Sequence, residues 1–321
     1  MTPARQIRRR ALLKAGIAGT ASLALPLAAV AARSYGFDAA EVADGVWLIA
    51  GAQDSLNRDN GGAIANTVLL RTGQGAIVID TGSTALMGAE IRAFADQRLG
   101  GVAATLITHH HPDHWFGNAA FADAPILSLG PTAQAAALNG QGYSDALYSI
   151  LGPWMSGTTP VPPQSPVQPG AQSLAGRALT LMPLAGHTEA DLAILDAETG
   201  TLIAGDLLFL DRAPTLPDAD IATWRASLDS LGALQPSGTI PGHGPFHRSS
   251  AALAQTRAYL EATDARLMQA AELGLTPAEA MAAGPVPGFA GLGAMPEEYH
   301  RSVVQRWADY EQRALTTISD A

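Results

Sequence analysis

The sequence predicts an α+β fold in which short strands are interleaved with amphipathic helices. Two observations carry that expectation. Short apolar, β-branched runs recur along the chain between Gly- and Pro-rich turns, as buried strands do. These runs also end in polar residues of one kind: Asp80, His109, His187, Asp206 and His243 each follow one. Polar side chains gathered at the ends of several strands make a site with the sheet as its rigid support.

Taken in order, Val46 to Ala50 forms a first strand, and residues 51–65 a Gly- and Asn-rich loop. Strands at 67–70 and 76–79 are joined by Thr72-Gly73-Gln74-Gly75, turn chemistry that makes them a hairpin. A helix over 84–98 sets Met87, Ile91 and Phe94 on one face. Strands follow at 104–108 and 125–129, then a helical stretch over 131–152 interrupted by Gly140 and Gly142. Residues 152–170 are rich in proline and read as a wrapping loop on the rim of one domain. Strands resume at 179–182, 192–195, 202–204 and 239–240, with a helix at 219–232. A helix over 249–272 carries Leu253, Leu260 and Leu267, spaced to pack against its own domain, and Gly274 stops it. A last helix spans 298–315, so the domain of 32–321 ends in helices from about 249.

The first 31 residues read as an export signal. Arg8, Arg9 and Arg10 precede an apolar, Ala-rich run broken by Pro26 and ending in small residues at Ala29-Val30-Ala31. The 17 residues from Ala15 to Ala31 are short for a membrane span, and Gly16, Gly19 and Ser22 interrupt them. Arg9-Arg10-Ala11-Leu12-Leu13-Lys14 resembles the twin-arginine motif, which implies a periplasmic or otherwise exported protein with no stable membrane insertion after cleavage. The formal charge is −10, and the segment holds five basic residues and no acid, so cleavage makes the chain still more acidic. Such a surface repels nucleic acid and anionic lipid, leaving a small molecule as the expected partner. With no cysteine in the chain, disulfides, thiolate zinc sites and a cysteine nucleophile are excluded.

The chemistry concentrates in Ala104 to Phe116, where an apolar run ends in Thr-His-His-His-Pro-Asp-His. Pro112 stops the strand, so His109, His111, Asp113 and His114 stand on a turn at its end. Three imidazoles and a carboxylate are poor core material, but they are what zinc takes when no thiolate is available. His110 points away from its neighbours if strand geometry persists and is read as a packing or surface residue.

His-x-His-x-Asp-His followed by a distant His, Asp and His resembles the metallo-β-lactamase superfamily over about residues 45–250. The resemblance implies a four-layer αββα sandwich. It implies two Zn²⁺, the first on His109, His111 and His187, the second on Asp113, His114 and His243, with Asp206 bridging them as in glyoxalase II-like members. A metal-bridging hydroxide would then attack the carbonyl of an ester, thioester, lactone or amide, with Asp113 orienting it. Iron is the alternative metal. Many true β-lactamases carry Cys or Ser near Asp206, which weakens a β-lactamase reading. Residues 58–66, the Trp154–Thr158 rim and Asp211–Thr215 are similar to the quinoprotein relay system zinc metallohydrolases. A non-catalytic metal-binding accessory protein is the alternative of another class. Around the ligands, Asp80 is expected behind the metal turn, and Trp115, Trp154, Arg58 and Arg212 are candidates for the substrate pocket, the arginines as carboxylate binders.

Overall fold

A computed structural model describes residues 33–319, so the expected export signal lies outside the described residues. The first strands are β1 (Ala39–Ala43), β2 (Val46–Ile49), β3 (Thr67–Thr72) and β4 (Gly75–Ile79), followed by helix α1 (Ala85–Arg98). Next come β5 (Val102–Leu106), a single helical turn α2 (Pro112–Trp115), β6 (Ile126–Ser128), α3 (Gly130–Leu151) and the short β7 (Ser165–Pro166). These seven strands form one sheet in sequence order, antiparallel up to β4 and parallel beyond it.

The second sheet has the order β12-β11-β10-β9-β8. Its strands are β8 (Gly170–Leu174), β9 (Arg177–Leu184), β10 (Asp191–Asp196), β11 (Thr201–Ile203) and β12 (Gly238–Ile240), with α4 (Ile221–Gly232) between the last two. Three helices complete the chain: α5 (Ala251–Glu272), α6 (Pro277–Ala282) and α7 (Glu297–Ser319).

Alternation along the strands builds the layers. Val68, Leu70, Ile77 and Ile79 face Leu179, Leu181, Leu192 and Ile194 of the other sheet, and all are buried. The intervening Leu69, Ala76 and Val78 face the opposite way, onto Met87, Ile91 and Ala95 of α1 and Leu147 and Leu151 of α3. On the outer side of the second sheet, Ala193 and Leu202 pack against Trp224 and Leu228 of α4 and Leu260 of α5. The central strands β3, β4 and β10 are covered on both faces, so they are apolar runs rather than alternating ones. The result is the αββα sandwich.

Four local expectations change. The 131–152 stretch is one uninterrupted helix: a Cβ on Gly140 would press on Trp115 and Pro160 at 3.1 Å each, so that glycine admits a close approach instead of breaking the helix. The Pro-rich 152–170 segment contains a 3₁₀ turn at Gly152–Met155 and the edge strand β7. The strand expected at 104–108 ends at Leu106. β1 and β8 were not anticipated; both are largely solvent-facing edge strands without a continuous apolar run. Of the expected leucine stripe on α5, Leu260 and Leu267 are fully buried within the chain.

The segment before β1 is tied to the 51–65 loop. The Tyr35 hydroxyl donates to Gly61 O at 2.8 Å, and the Tyr35 and Gly36 amides donate to the Glu90 carboxylate of α1. The Tyr35 ring lies 4.6 Å from that of Trp154, whose Nε1 donates to Arg58 O. Among the described residues, no helix is long and apolar enough to cross a membrane.

Candidate metal centre

The polar residues expected at strand ends converge. His109, His111, His187 and Asp206 offer ligand atoms within 4.8 Å of one another, and Asp113, His114 and His243 form a second such group. Asp206 joins the two. Its carboxylate lies 3.3 Å from His187 Nε2 on one side and 3.3 Å from both His114 Nε2 and His243 Nε2 on the other.

Different elements deliver these side chains. His109 and His111 stand in the loop after β5, and Pro112 opens α2, which carries Asp113 and His114. His187 follows β9, Asp206 follows β11 and His243 follows β12. The backbone beside Asp206 is fitted to it: a Cβ on Gly242 would overlap the carboxylate Oδ1, so only glycine fits there.

Four of the five imidazoles are fixed from behind. The Nδ1 of His109 meets Thr108 Oγ1 at 3.1 Å, and the Nδ1 of His243 donates to Ile64 O at 2.8 Å. His111 uses Nε2 on Asp218 Oδ2 at 2.8 Å, which turns its Nδ1 inward to stand 2.9 Å from His187 Nε2. His114 Nδ1 donates to Asp80 Oδ2 at 2.7 Å. His187 is the exception: its Nδ1 has no hydrogen-bond partner, and the ring is held edge-on by Trp224 at 5.1 Å.

The inward atoms are those a cation would use. His109 Nε2, His114 Nε2 and Asp206 Oδ1 are buried without hydrogen-bond partners. Buried polar atoms ordinarily find one, because desolvation without a bond costs about 1–3 kcal/mol per group. Electrostatics point the same way. Burial holds His109 and His187 well below the usual imidazole pKa, so both are neutral and carry a free lone pair. Burial also opposes charge on Asp206, but His243, His114, His109 and His187 outweigh it and hold the carboxyl well below its usual range. On His114 burial is outweighed by Asp206, Asp113 and Asp80, which push its pKa well above the ordinary value, so this imidazole carries a proton that a bound cation would displace. Two ionised carboxylates enclosed among imidazoles call for positive charge, and nitrogen and oxygen donors in this mixture suit zinc or iron.

Asp80 sits behind the ligand turn as expected. Its carboxylate also accepts from Thr108 N and Thr108 Oγ1, each at 2.8 Å, and its backbone takes φ 60°. Asparagine tolerates that left-handed backbone, so Asp80→Asn isolates the loss of the carboxylate from strain. The variant is expected to bind a divalent metal about 10–100-fold more weakly, as partners behind metal-bound histidines do, measured by competition with a chromogenic chelator.

Above the ligands lies a cavity of about 510 Å³. His111, Asp113, Asp206 and His243 form its floor. Ser55, Leu56 and Ile64 of the 51–65 loop, Tyr143 and Leu147 of α3, and the start of α7 make its walls. Three expected pocket residues do not line it. Trp115 is fully buried in the core beside Phe116, its Nε1 donating to His110 O, because α2 turns one face to the ligands and the other to α3. Trp154 covers the outer side of the 51–65 loop, and Arg58 is exposed with its Nε on Ile150 O. Arg212 does reach the cavity wall, but it is buried and engaged with Glu298 Oε1 at 3.3 Å and Asp54 O at 3.2 Å.

His110 is buried away from the floor, its ring 6.3 Å from Tyr143, and burial lowers its pKa to about 4. Asp218 was missed from the sequence. It lies in an irregular loop before α4 with no periodic or spacing signal to mark it. The start of α7, with Glu298 and Arg301, was missed as a pocket wall for a related reason: only the packing of the C-terminal helices brings it over the ligands.

A model of the metallo-β-lactamase superfamily matches residues 60–243, more than half of the chain and the stretch that holds all seven ligand candidates. The chain belongs to the metallo-β-lactamase superfamily. Among solved superfamily structures, the metallo-β-lactamase from Pontibacter korlensis superposes with a TM-score of 0.57 at 21% identity, covering 70% of this chain and 99% of that one. The enzyme from Erythrobacter litoralis does so with a TM-score of 0.56 at 22% identity, covering 72% and 98%. These show a shared fold. The hydroxyacylglutathione hydrolase of Thiobacillus denitrificans is 31% identical over 166 residues, 50% of this chain and 53% of that protein. The chain thus matches about half the length of this curated relative.

Proposed function

We propose that this superfamily member is an exported, dinuclear zinc hydrolase that cleaves a carbonyl substrate such as an ester, thioester or lactone. The observation that carries the reading is the convergence of seven ligand side chains in two adjacent groups that share Asp206. Bound zinc would supply a water of lowered pKa and polarise the substrate carbonyl. The chain's own residues do the rest. Asp113, buried at the cavity floor 3.4 Å from His243 Nε2, accepts a hydrogen bond from the attacking water and aims it. Burial opposes its charge, but His114 and His243 keep the carboxyl ionised, below its ordinary pKa. The walls of the cavity exclude bulk water and position the acyl group.

A thioester is the favoured class among these substrates. An aspartate stands at the shared position, and the hydroxyacylglutathione hydrolase relative supports the same choice. A panel of esters, thioesters, lactones and β-lactams, run on zinc-loaded protein beside His111→Ala, tests the proposal. Turnover by the wild type and none by a metal-depleted His111→Ala is the expected result. Near-stoichiometric zinc with no turnover on any member would leave the metal-binding accessory role.

Export by the twin-arginine route and service beside a periplasmic quinoprotein system belong to the same proposal. They rest on Arg9-Arg10 and on the sequence of the 58–66, 154–158 and 211–215 segments. Arg9→Lys combined with Arg10→Lys should leave precursor in the cytoplasm, as read by fractionation. Normal export of that double variant would contradict the route.

A further inference from the structure

The outer end of the 51–65 loop turns through a left-handed pair of glycines, Gly61 at φ 60° and Gly62 at φ 86°. Side chains from separate segments grip this pair. Trp154 lies against Gly61, where a Cβ would stand 2.6 Å from Cδ2 of the indole. Ser83 Oγ donates to Gly62 O. Tyr35, in the segment before β1, donates its hydroxyl to Gly61 O at 2.8 Å and meets Thr84 Oγ1 at 2.8 Å. A phenol has one proton to give, so in the second contact Thr84 is the donor, while its oxygen also caps α1 by accepting from Met87 N.

Tyr35 is itself held in place. Its amide donates to the Glu90 carboxylate at 3.0 Å, and the Gly36 amide does so at 3.2 Å. Its ring stacks on Phe37 with centroids 5.2 Å apart. Burial pushes its phenol up to about 12, with the Thr84 hydrogen bond opposing and Glu90 adding to the rise, so the hydroxyl stays a donor. From the gripped glycines, Asn60 carries the position inward. Its Oδ1 accepts from Gly62 N at 2.9 Å and from Asn57 N at 3.2 Å, and its Nδ2 donates to Ser55 O at 2.8 Å. Ser55 and the adjoining Leu56 line the cavity. The other end of the loop is fixed at the ligands, where Ile64 O accepts from His243 Nδ1.

We propose that Tyr35 is a positioning residue for the cavity: by holding Gly61 O from the segment ahead of β1, it sets the turn at Asn60–Gly62 and, through Asn60, the wall at Ser55 and Leu56. Tyr35 itself does not line the cavity, so it acts on bound substrate through the loop alone. A wall set in advance spares the substrate the cost of ordering it. Loosening that wall leaves the ligand floor in place, so the loss falls on KM rather than on kcat. The part of this inference that concerns substrate rests on the hydrolase reading; the part that concerns the loop does not.

Tyr35→Phe keeps the stacked ring and removes the hydroxyl, and Glu90→Ala frees the backbone of the same segment from α1. Amide hydrogen exchange, read by mass spectrometry on wild type and both variants, is combined with KM and kcat on the best substrate of the panel. Tyr35→Phe is expected to speed exchange in the 51–65 peptides about tenfold, the order of one hydrogen bond to a buried carbonyl, with peptides from β9 and β10 unchanged. KM should rise by a similar factor while kcat stays within about twofold. Glu90→Ala should move the same peptides in the same direction. Unchanged exchange in the 51–65 peptides of Tyr35→Phe would overturn the inference. A rise spread equally over β9 and β10 would also overturn it, by reducing Tyr35 to a residue of global stability, and so would a fall in kcat at constant KM. A wild type that turns over no member of the panel would instead defeat the hydrolase reading, and the exchange measurement still decides what Tyr35 does to the loop.

Discussion

Asp206→Asn is expected to abolish hydrolysis and to lower zinc occupancy in both halves of the site. Asp206 faces ligands of both groups, with His187 on one side and His114 and His243 on the other. Asparagine has nearly the same shape, so packing survives. The amide nitrogen cannot ligate, and the negative charge that the four surrounding imidazoles stabilise is gone. Removing one partner of a buried charge pair costs about 3–5 kcal/mol, or roughly two to four decades in binding. Metal content by atomic emission after gel filtration, and turnover on the best substrate of the panel, check both parts. Unchanged occupancy in this variant would show that Asp206 is not a shared ligand.

Gly186→Ala is expected to damage the fold and the ligand loop together. Gly186 takes φ 134° immediately before His187, and a Cβ there would overlap Trp224 Cα and stand 2.5 Å from the Trp224 backbone nitrogen. Backbone of α4 cannot swing aside as a flexible side chain would, and Asp220 N is bonded to Gly186 O at 2.9 Å. Strain and overpacking together cost about 3 kcal/mol or more, which lowers the melting temperature by roughly 6–12 °C for a domain of this size class. His187 shifts with its loop, so zinc occupancy falls too. Gly142→Ala is the control. It sits within α3 with nothing near its Cβ position, and alanine there should leave stability equal or raise it by up to about 1 kcal/mol. Thermal unfolding of the pair followed by circular dichroism separates the two outcomes.

The ligand floor was legible because its residues are chemically unusual where they stand. A strand that ends in histidines stopped by Pro112, and glycines beside His187, Asp206 and His243, leave a local trace that survives without knowledge of the fold. The apolar runs that became β3, β4 and β10 were legible for the same reason: buried on both faces, they had to be continuous. What failed to show depended on distant contacts. Trp115 reads as a pocket aromatic in the sequence, but α3 packs on it through Gly140. Arg58 read as a carboxylate binder, yet its side chain faces the Ile150 carbonyl outside the cavity. Arg301 and Asp218 carry no motif, and each gains its meaning from a partner far along the chain, the cavity wall for one and His111 for the other. β1, a half-exposed edge of Ala, Glu and Val, lacks the pattern that marks a strand.

The two side-chain groups joined by Asp206 are expected to hold metal, with hydrolysis depending on it. Zinc titration of chelator-stripped protein, followed by calorimetry with turnover measured at each addition, tests this most directly. Two ions per chain are expected, with activity absent before the first addition and full when both are bound. Turnover that persists in stripped protein, or saturation with no high-affinity zinc, would contradict it.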